Sequence, residues 1–351
     1  MYLIKKNDIL NLAKELAKDH TVYGPVVEDS TGQAFFDRVD NIDEIDMAAP
    51  IPTLPPKHVL FPHMETIMQY RYDPDKKKAE ITGVFDESRK ALFGLRPCDL
   101  EGILCMDRFF LGQEFVDDWY REHRSRMFIV TNTCIAPFKQ CFCVCTDSGP
   151  DAKEGYDLNL TDIGQYYLVE TGSEKGEALA KQMDLEKATA EHADEKKARV
   201  EKSLTLFEDI ADENKAWISR VMNRVTTGFI EEDVWEFIGD QCFECGACTY
   251  VCPSCTCFNV VDVNRKDGES LRLRTWDSCA YEGYSRMAGG HNPRKPVEDR
   301  RNKRFFCKLS YSQSKKYLRP GCVGCGRCAW VCPGDIGLPN VVTYIRREIT
   351  K

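Results

Sequence analysis

The sequence predicts an α+β protein in three parts: a mixed α/β domain over 1–170, a helical connector over 171–234 and a cysteine-rich domain over 235–351. Three observations predict it. Short β-rich runs accompany a helix-periodic segment in the first part. A Lys/Glu/Ala-rich stretch without aromatics fills the middle. One cysteine pattern then occurs twice, the second copy starting 80 residues after the first.

Residues 9–17 carry apolar side chains at helical spacing among good helix formers. Residues 21–27 and 127–131 read as strands, and 158–170 end in YYLVE, another strand. Pro50, Pro52, Pro55 and Pro56 mark an irregular connection before His58. Gly172-Ser173 is a break. The stretch after it, GEALAKQMDLEKATAEHADEKKARVEKSL, has strong helix propensity, and its charges read as a solvated helix face.

The chain has 351 residues, long enough for two or three domains. Its net charge of −8 argues against bulk nucleic-acid affinity. The outlying number is 18 cysteines. MYLIKKNDIL has charge where a signal peptide needs an apolar run, and no stretch approaches the ~18 apolar residues of a membrane span. The expectation is a cytoplasmic chain whose reduced, clustered thiols bind metal or do chemistry.

The repeated pattern is Cys242-x2-Cys245-x2-Cys248-x3-Cys252-Pro253 and Cys322-x2-Cys325-x2-Cys328-x3-Cys332-Pro333. This is the C-x2-C-x2-C-x3-C-P run of bacterial ferredoxins. Three cysteines two residues apart can wrap one cubane, and Gly246 and Gly326 permit close backbone approach. The proline ends the turn, so the fourth cysteine points away from its own triplet. In two-cluster ferredoxins that cysteine serves the other cluster. One [4Fe-4S] cluster is therefore expected on Cys242, Cys245, Cys248 and Cys332, and a second on Cys322, Cys325, Cys328 and Cys252. Zinc usually takes two separated C-x2-C pairs or histidine, so these runs are poor zinc motifs. The result is a ferredoxin-like domain with a long insertion between its two loops.

The first part has its own cysteines: Cys98 in GLRPCD, and Cys134, Cys141, Cys143 and Cys145 in TNTCIAPFKQCFCVC. Four suffice for a third cluster, and the set expected is Cys98, Cys134, Cys141 and Cys143, with Cys145 as alternate. In an extended segment Cys141, Cys143 and Cys145 would face one side. The competing reading is buried, inert thiols. Cys105 reads as core. Cys255, Cys257 and Cys279 read as packing beside the clusters or as ligands of a further centre, and Cys307 as structural. The segment 286–319 holds eleven Lys/Arg against two acidic residues. It reads as neutralising cluster charge, docking an acidic partner or simply solvated. His291 reads as structural. No dinucleotide fingerprint or P-loop is present.

The combination of GLRPCDLEGI, NTCIAPFKQCFC, CPSCTCF, WDSC, AGGHNPR and GCVGCGRCAWVCP resembles the iron–sulfur subunit family shared by anaerobic sulfite reductase and sulfhydrogenase, in the latter the β subunit. The likeness covers most of the chain, including Phe61-Pro62 with Glu65 nearby. It implies a non-catalytic electron-transfer subunit of a multisubunit redox complex. Its partners would be a catalytic subunit, of hydrogenase, sulfite reductase or heterodisulfide-reductase type, and a flavin/NAD(P)-binding subunit. The alternative is an iron–sulfur enzyme reducing a disulfide or sulfur compound at the N-terminal cysteines. The chain departs from the pattern at VCTDSGP, which makes Cys145 extra, and at Cys307, where histidine is expected.

Overall fold

A computed structural model describes residues 1–73, 75–207, 216–265 and 268–349. Its strands in chain order are β1 (Tyr2–Lys5), β2 (Thr21–Val27), β3 (Ala34–Arg38), β4 (Met64–Asp73), β5 (Lys78–Gly83) and β6 (Lys90–Leu95). There follow β7 (Met127–Asn132), β8 (Leu158–Asp162), β9 (Tyr166–Thr171), β10 (Glu186–Lys187), β11 (Phe258–Asn264) and β12 (Glu269–Trp276).

The larger sheet has the order β10-β1-β9-β8-β7-β6-β2-β3. β2, β6, β7 and β8 run parallel and the other pairs antiparallel. β6 (KALFGL) and β7 (MFIVTN) are buried along their whole length, as central parallel strands covered on both faces must be. Helices Leu10–Leu16 and Glu174–Gln182 cover one face through Leu12, Ala13, Leu16, Leu179 and Ala180. Helices Pro97–Phe110 and Asp118–Ser125 cover the other through Leu100, Ile103, Met106, Phe110 and Tyr120.

The stretch 171–234 is largely helical where described, but the structure does not set it apart as a connector. The break at Gly172-Ser173 becomes an N-cap, with the Ser173 hydroxyl accepting from the Gly176 amide at 3.1 Å. β10 extends the sheet beside β1, so the sheet crosses the boundary expected at 170. The charged run then forms helix Ala190–Thr205, mostly exposed on its polar side. Ser203 on this helix is buried and donates to the Cys134 carbonyl at 2.7 Å.

The second sheet, β11-β12-β4-β5, is antiparallel throughout and joins distant parts of the sequence. β11 and β12 lie in the insertion between the cysteine motifs, while β4 and β5 come from the first part. The buried Arg274 of β12 locks this junction by pairing with Glu65 of β4 and with Asp117 at 2.5 Å. The insertion is therefore integrated with the first part rather than looped out from the motifs. Around the motifs, helices Ala216–Thr227, Glu232–Asp240, Val297–Leu309 and Leu338–Ile349 pack through Trp217, Trp235, Phe305 and Val342. Among the described residues no helix is long and apolar enough to cross a membrane.

Candidate metal centres

The two motifs fold alike. Each is a loop closed by a single helical turn, Ala247–Tyr250 or Arg327–Trp330. Positive φ recurs at matching places: 52° and 64° at Glu244 and Gly324, and 75° at both Gly246 and Gly326. The left-handed residues turn backbone amides inward. The Glu244 amide donates to Cys242 Sγ at 3.4 Å, and the Gly324 amide to Cys322 Sγ at 3.3 Å. The Leu338 amide reaches Cys328 Sγ at 3.3 Å. Such donors stabilise thiolates and tune a bound cluster.

The end of each motif lies against the start of the other. After Cys252-Pro253, the Ser254 hydroxyl donates to the Gly321 carbonyl at 2.8 Å, beside Cys322. After Cys332-Pro333, a Cβ on Gly334 would fall on the carbonyl of Gln241, beside Cys242. Burial pushes the Cys322, Cys325 and Cys328 thiols upward, Cys325 to about 12, and a charge on Cys252 pushes each further. Cys252 is thus in electrostatic reach of the distant triplet. Cys245 is exposed, whereas Cys252, Cys325 and Cys328 are buried.

Four buried cations point into this region. Lys57, Arg301, Arg304 and Lys308 are 2–4% exposed, and among the described residues none forms an ion pair with a carboxylate. Arg304 donates to the Cys248 carbonyl at 2.8 Å and reaches Cys255 Sγ at 3.9 Å. Arg301 reaches Cys248 Sγ at 3.9 Å. Lys308 donates to Ser254 Oγ and the Gly321 carbonyl, both at 3.0 Å. Lys57 donates to the Thr249 and Cys255 carbonyls at 3.2 and 3.1 Å and lies 4.0 Å over the Trp276 ring. Burial pulls the Lys57 ammonium down to about 8, although Cys255 and Cys252 thiolates act to raise it. Buried charge needs compensation. Thiolates are the anions at hand, and a cubane on four thiolates is a net anion, so the residues present fit an iron–sulfur cluster.

The sequence singles out Arg301 and Arg304, with Arg294, Arg300 and Lys303, in a segment that reads as neutralising cluster charge, docking an acidic partner or solvated; it does not mark Lys308 or Lys57. Arg300, Arg304 and Lys308 recur every fourth residue and share one helix face. That spacing beside a cysteine motif is the available signal. Lys57 offers none.

The N-terminal cysteines are gathered at the C-terminal ends of β6 and β7, where parallel sheets build their sites. Cys98 opens helix Pro97–Phe110 directly after β6, and Cys134 follows β7. Cys98, Cys134, Cys141 and Cys143 line one cavity of about 260 Å³, together with Arg96 and Phe138. Cys145 is not on that cavity. The segment is not extended as expected: Cys143–Cys145 form a 3-10 turn, which swings Cys145 onto the helices around Trp217 and Phe305. Burial pushes the Cys98 and Cys143 thiols well up and Cys141 to about 11.

The second motif sits directly on this segment. The Phe142 amide donates to the Gly324 carbonyl at 2.8 Å, and Cys141 Sγ to the Cys325 carbonyl at 3.7 Å. Arg327, fully buried, forms a two-pronged ion pair with Asp99 at 2.5 and 2.8 Å and donates to the Pro52 carbonyl at 2.7 Å. Asp99 is next to Cys98 and Arg327 next to Cys328, so the pair ties the cavity to the motif loop. Among the described residues, no three Cys, His, Asp or Glu side chains converge tightly enough for a single metal ion.

Cys105 is buried. Cys257, Cys279 and Cys307 are half-buried, and Cys255 is buried beside Cys252. His291 is exposed, away from these contacts.

The family described as a 4Fe-4S dicluster domain matches residues 241–336. The sulfhydrogenase 2 subunit beta of Pyrococcus furiosus is 32% identical over 345 residues, which cover 97% of this chain and 96% of that protein.

Proposed function

The chain belongs to the family of the sulfhydrogenase β subunit, an iron–sulfur electron-transfer subunit, and on that premise we propose that it relays electrons between a catalytic redox subunit and a flavin/NAD(P)-binding subunit. We place it in a cytoplasmic complex. The catalytic partner is of hydrogenase, sulfite reductase or heterodisulfide-reductase type. The clusters supply one-electron transfer when bound; the chain holds them, orients them and excludes water.

In this reading Cys242, Cys245, Cys248 and Cys332 hold one [4Fe-4S] cluster, and Cys322, Cys325, Cys328 and Cys252 a second. The contacts of Ser254 with Gly321 and of Gly334 with Gln241 support that crossing. Cys98, Cys134, Cys141 and Cys143 hold a third. The observation that carries the relay is the seating of the second motif on the Cys141–Cys143 segment, through Gly324 and Cys325. It puts the N-terminal cavity next to a motif loop, which suits stepwise electron transfer.

The test is anaerobic affinity purification of the tagged chain from its native cells. Flavoprotein and catalytic redox subunits are expected to co-purify. A chain that arrives alone, and that by itself reduces a disulfide or sulfur compound from an artificial donor until Cys143→Ser abolishes turnover, would establish the enzymatic alternative instead.

A further inference from the structure

Six cysteines, Cys105, Cys145, Cys255, Cys257, Cys279 and Cys307, lie outside the three sites above, and three of them are brought together. β11 and β12 pair from Phe258↔Trp276 at their base. Cys257 precedes that base and Cys279 follows it, with the Asp277 amide donating to the Cys257 carbonyl at 3.0 Å. Helix Val297–Leu309 carries Cys307, which lines one cavity with Cys257. Charge on Cys279 or Cys307 opposes ionisation of Cys257, and charge on Cys307 opposes that of Cys279. Strand pairing sets Cys257 beside the segment that carries Cys279, and Cys257 and Cys307 line one cavity, so three separate segments bring the trio together.

Their surroundings are those of an anionic centre. The Tyr284 hydroxyl donates to Cys257 Sγ at 3.1 Å. Arg301 spans from Cys248 Sγ to the Cys279 carbonyl, at 3.9 and 3.4 Å. Cys257 and Cys307 line a cavity of about 400 Å³ with Tyr284, Lys303 and Lys308, and among the described residues no carboxylate lines it. A purely thiol set selects a soft metal or an iron–sulfur cluster.

We propose that Cys257, Cys279 and Cys307 hold a further iron–sulfur cluster of the cubane class, with three protein thiolates and one corner facing the cavity lined by Tyr284, Lys303 and Lys308. The site adjoins the first motif, because Arg301 contacts both Cys248 Sγ and the Cys279 carbonyl. It extends the set of centres away from the N-terminal cavity.

Two measurements on the anaerobically purified full chain test it. In the first, Cys257→Ser, Cys279→Ser and Cys307→Ser are combined and iron and sulfide are counted. The expected result is a loss of roughly three or four iron against wild type, with the dicluster EPR signals retained. Unchanged iron, or loss of one zinc instead, overturns the proposal. The second uses the wild-type protein and so does not depend on the variant folding. Thiol alkylation mapped by peptide mass is expected to spare Cys257, Cys279 and Cys307 in the holoprotein and to label them once iron is stripped. Labelling of the trio before stripping overturns it. A Cys143→Ser control separates this site from the N-terminal one, because iron lost there leaves the trio protected.

Discussion

Replacing Arg327 with Met is expected to destabilise the protein by about 3–5 kcal/mol, because it strands a buried carboxylate. Asp99 is 2% exposed and Arg327 is fully buried, and each prong of the pair is a direct hydrogen bond. Burial works against the Arg327 charge, while the Asp99 carboxylate and Cys325 hold it in place. Asp99→Leu should cost a similar amount by leaving the guanidinium uncompensated. The double variant Asp99→Leu/Arg327→Met should be less destabilised than the sum of the two, since apolar replacement of a buried pair is often near neutral. Anaerobic chemical denaturation reads all three. Additive losses would show that the pair does not act as a unit. Because the pair bridges the Cys98 helix and the second motif, the single variants should also lose iron.

The second large effect is expected at Gly324→Ala. This residue has φ 64°, and a Cβ there would stand 2.5 Å from the Cys143 amide nitrogen and Cα. Two penalties combine. Holding a non-glycine residue left-handed costs about 1–2 kcal/mol. Forcing a methyl into packed backbone costs about 1–3 kcal/mol more. Gly32→Ala is the control: its φ is 67°, and none of the described residues lies within 4 Å of its Cβ position. It carries the conformational penalty alone. Thermal denaturation should place Gly324→Ala well below Gly32→Ala, and the gap measures how tightly the motif seats on the N-terminal cysteine segment. Equal midpoints would mean that the seating is loose.

The parts of the molecule legible in the sequence are those written locally. The strands at 21–27 and 127–131 and the helix near 9–17 follow from side-chain period and propensity. The dicluster motifs follow from spacing alone, because three thiols and a glycine within one loop define their own geometry. Cys98, Cys134, Cys141 and Cys143 were legible as a group, although only the parallel strands β6 and β7 bring them to one cavity. What was not legible depends on partners far apart in sequence. Arg274 of β12 meets Glu65 of β4, and Arg327 meets Asp99, and no local pattern encodes either meeting. Lys57 was hidden for another reason, as was the burial of Arg301 and Arg304, which the sequence named only within a basic stretch. Lysine and arginine are ordinarily exposed, and only a buried anion nearby makes their burial sensible. Cys145 stayed an alternate because alternation assumes an extended strand, and the chain turns there instead.

The central claim is that this chain carries neighbouring iron–sulfur centres that exchange electrons. EPR of the anaerobically purified, dithionite-reduced full chain tests it most directly, with metal content determined on the same sample. The account predicts at least about eight iron per chain and a spectrum broadened by interaction between adjacent reduced clusters. Fewer iron with cysteine-bound zinc, or a spectrum composed only of isolated, non-interacting clusters, would contradict it.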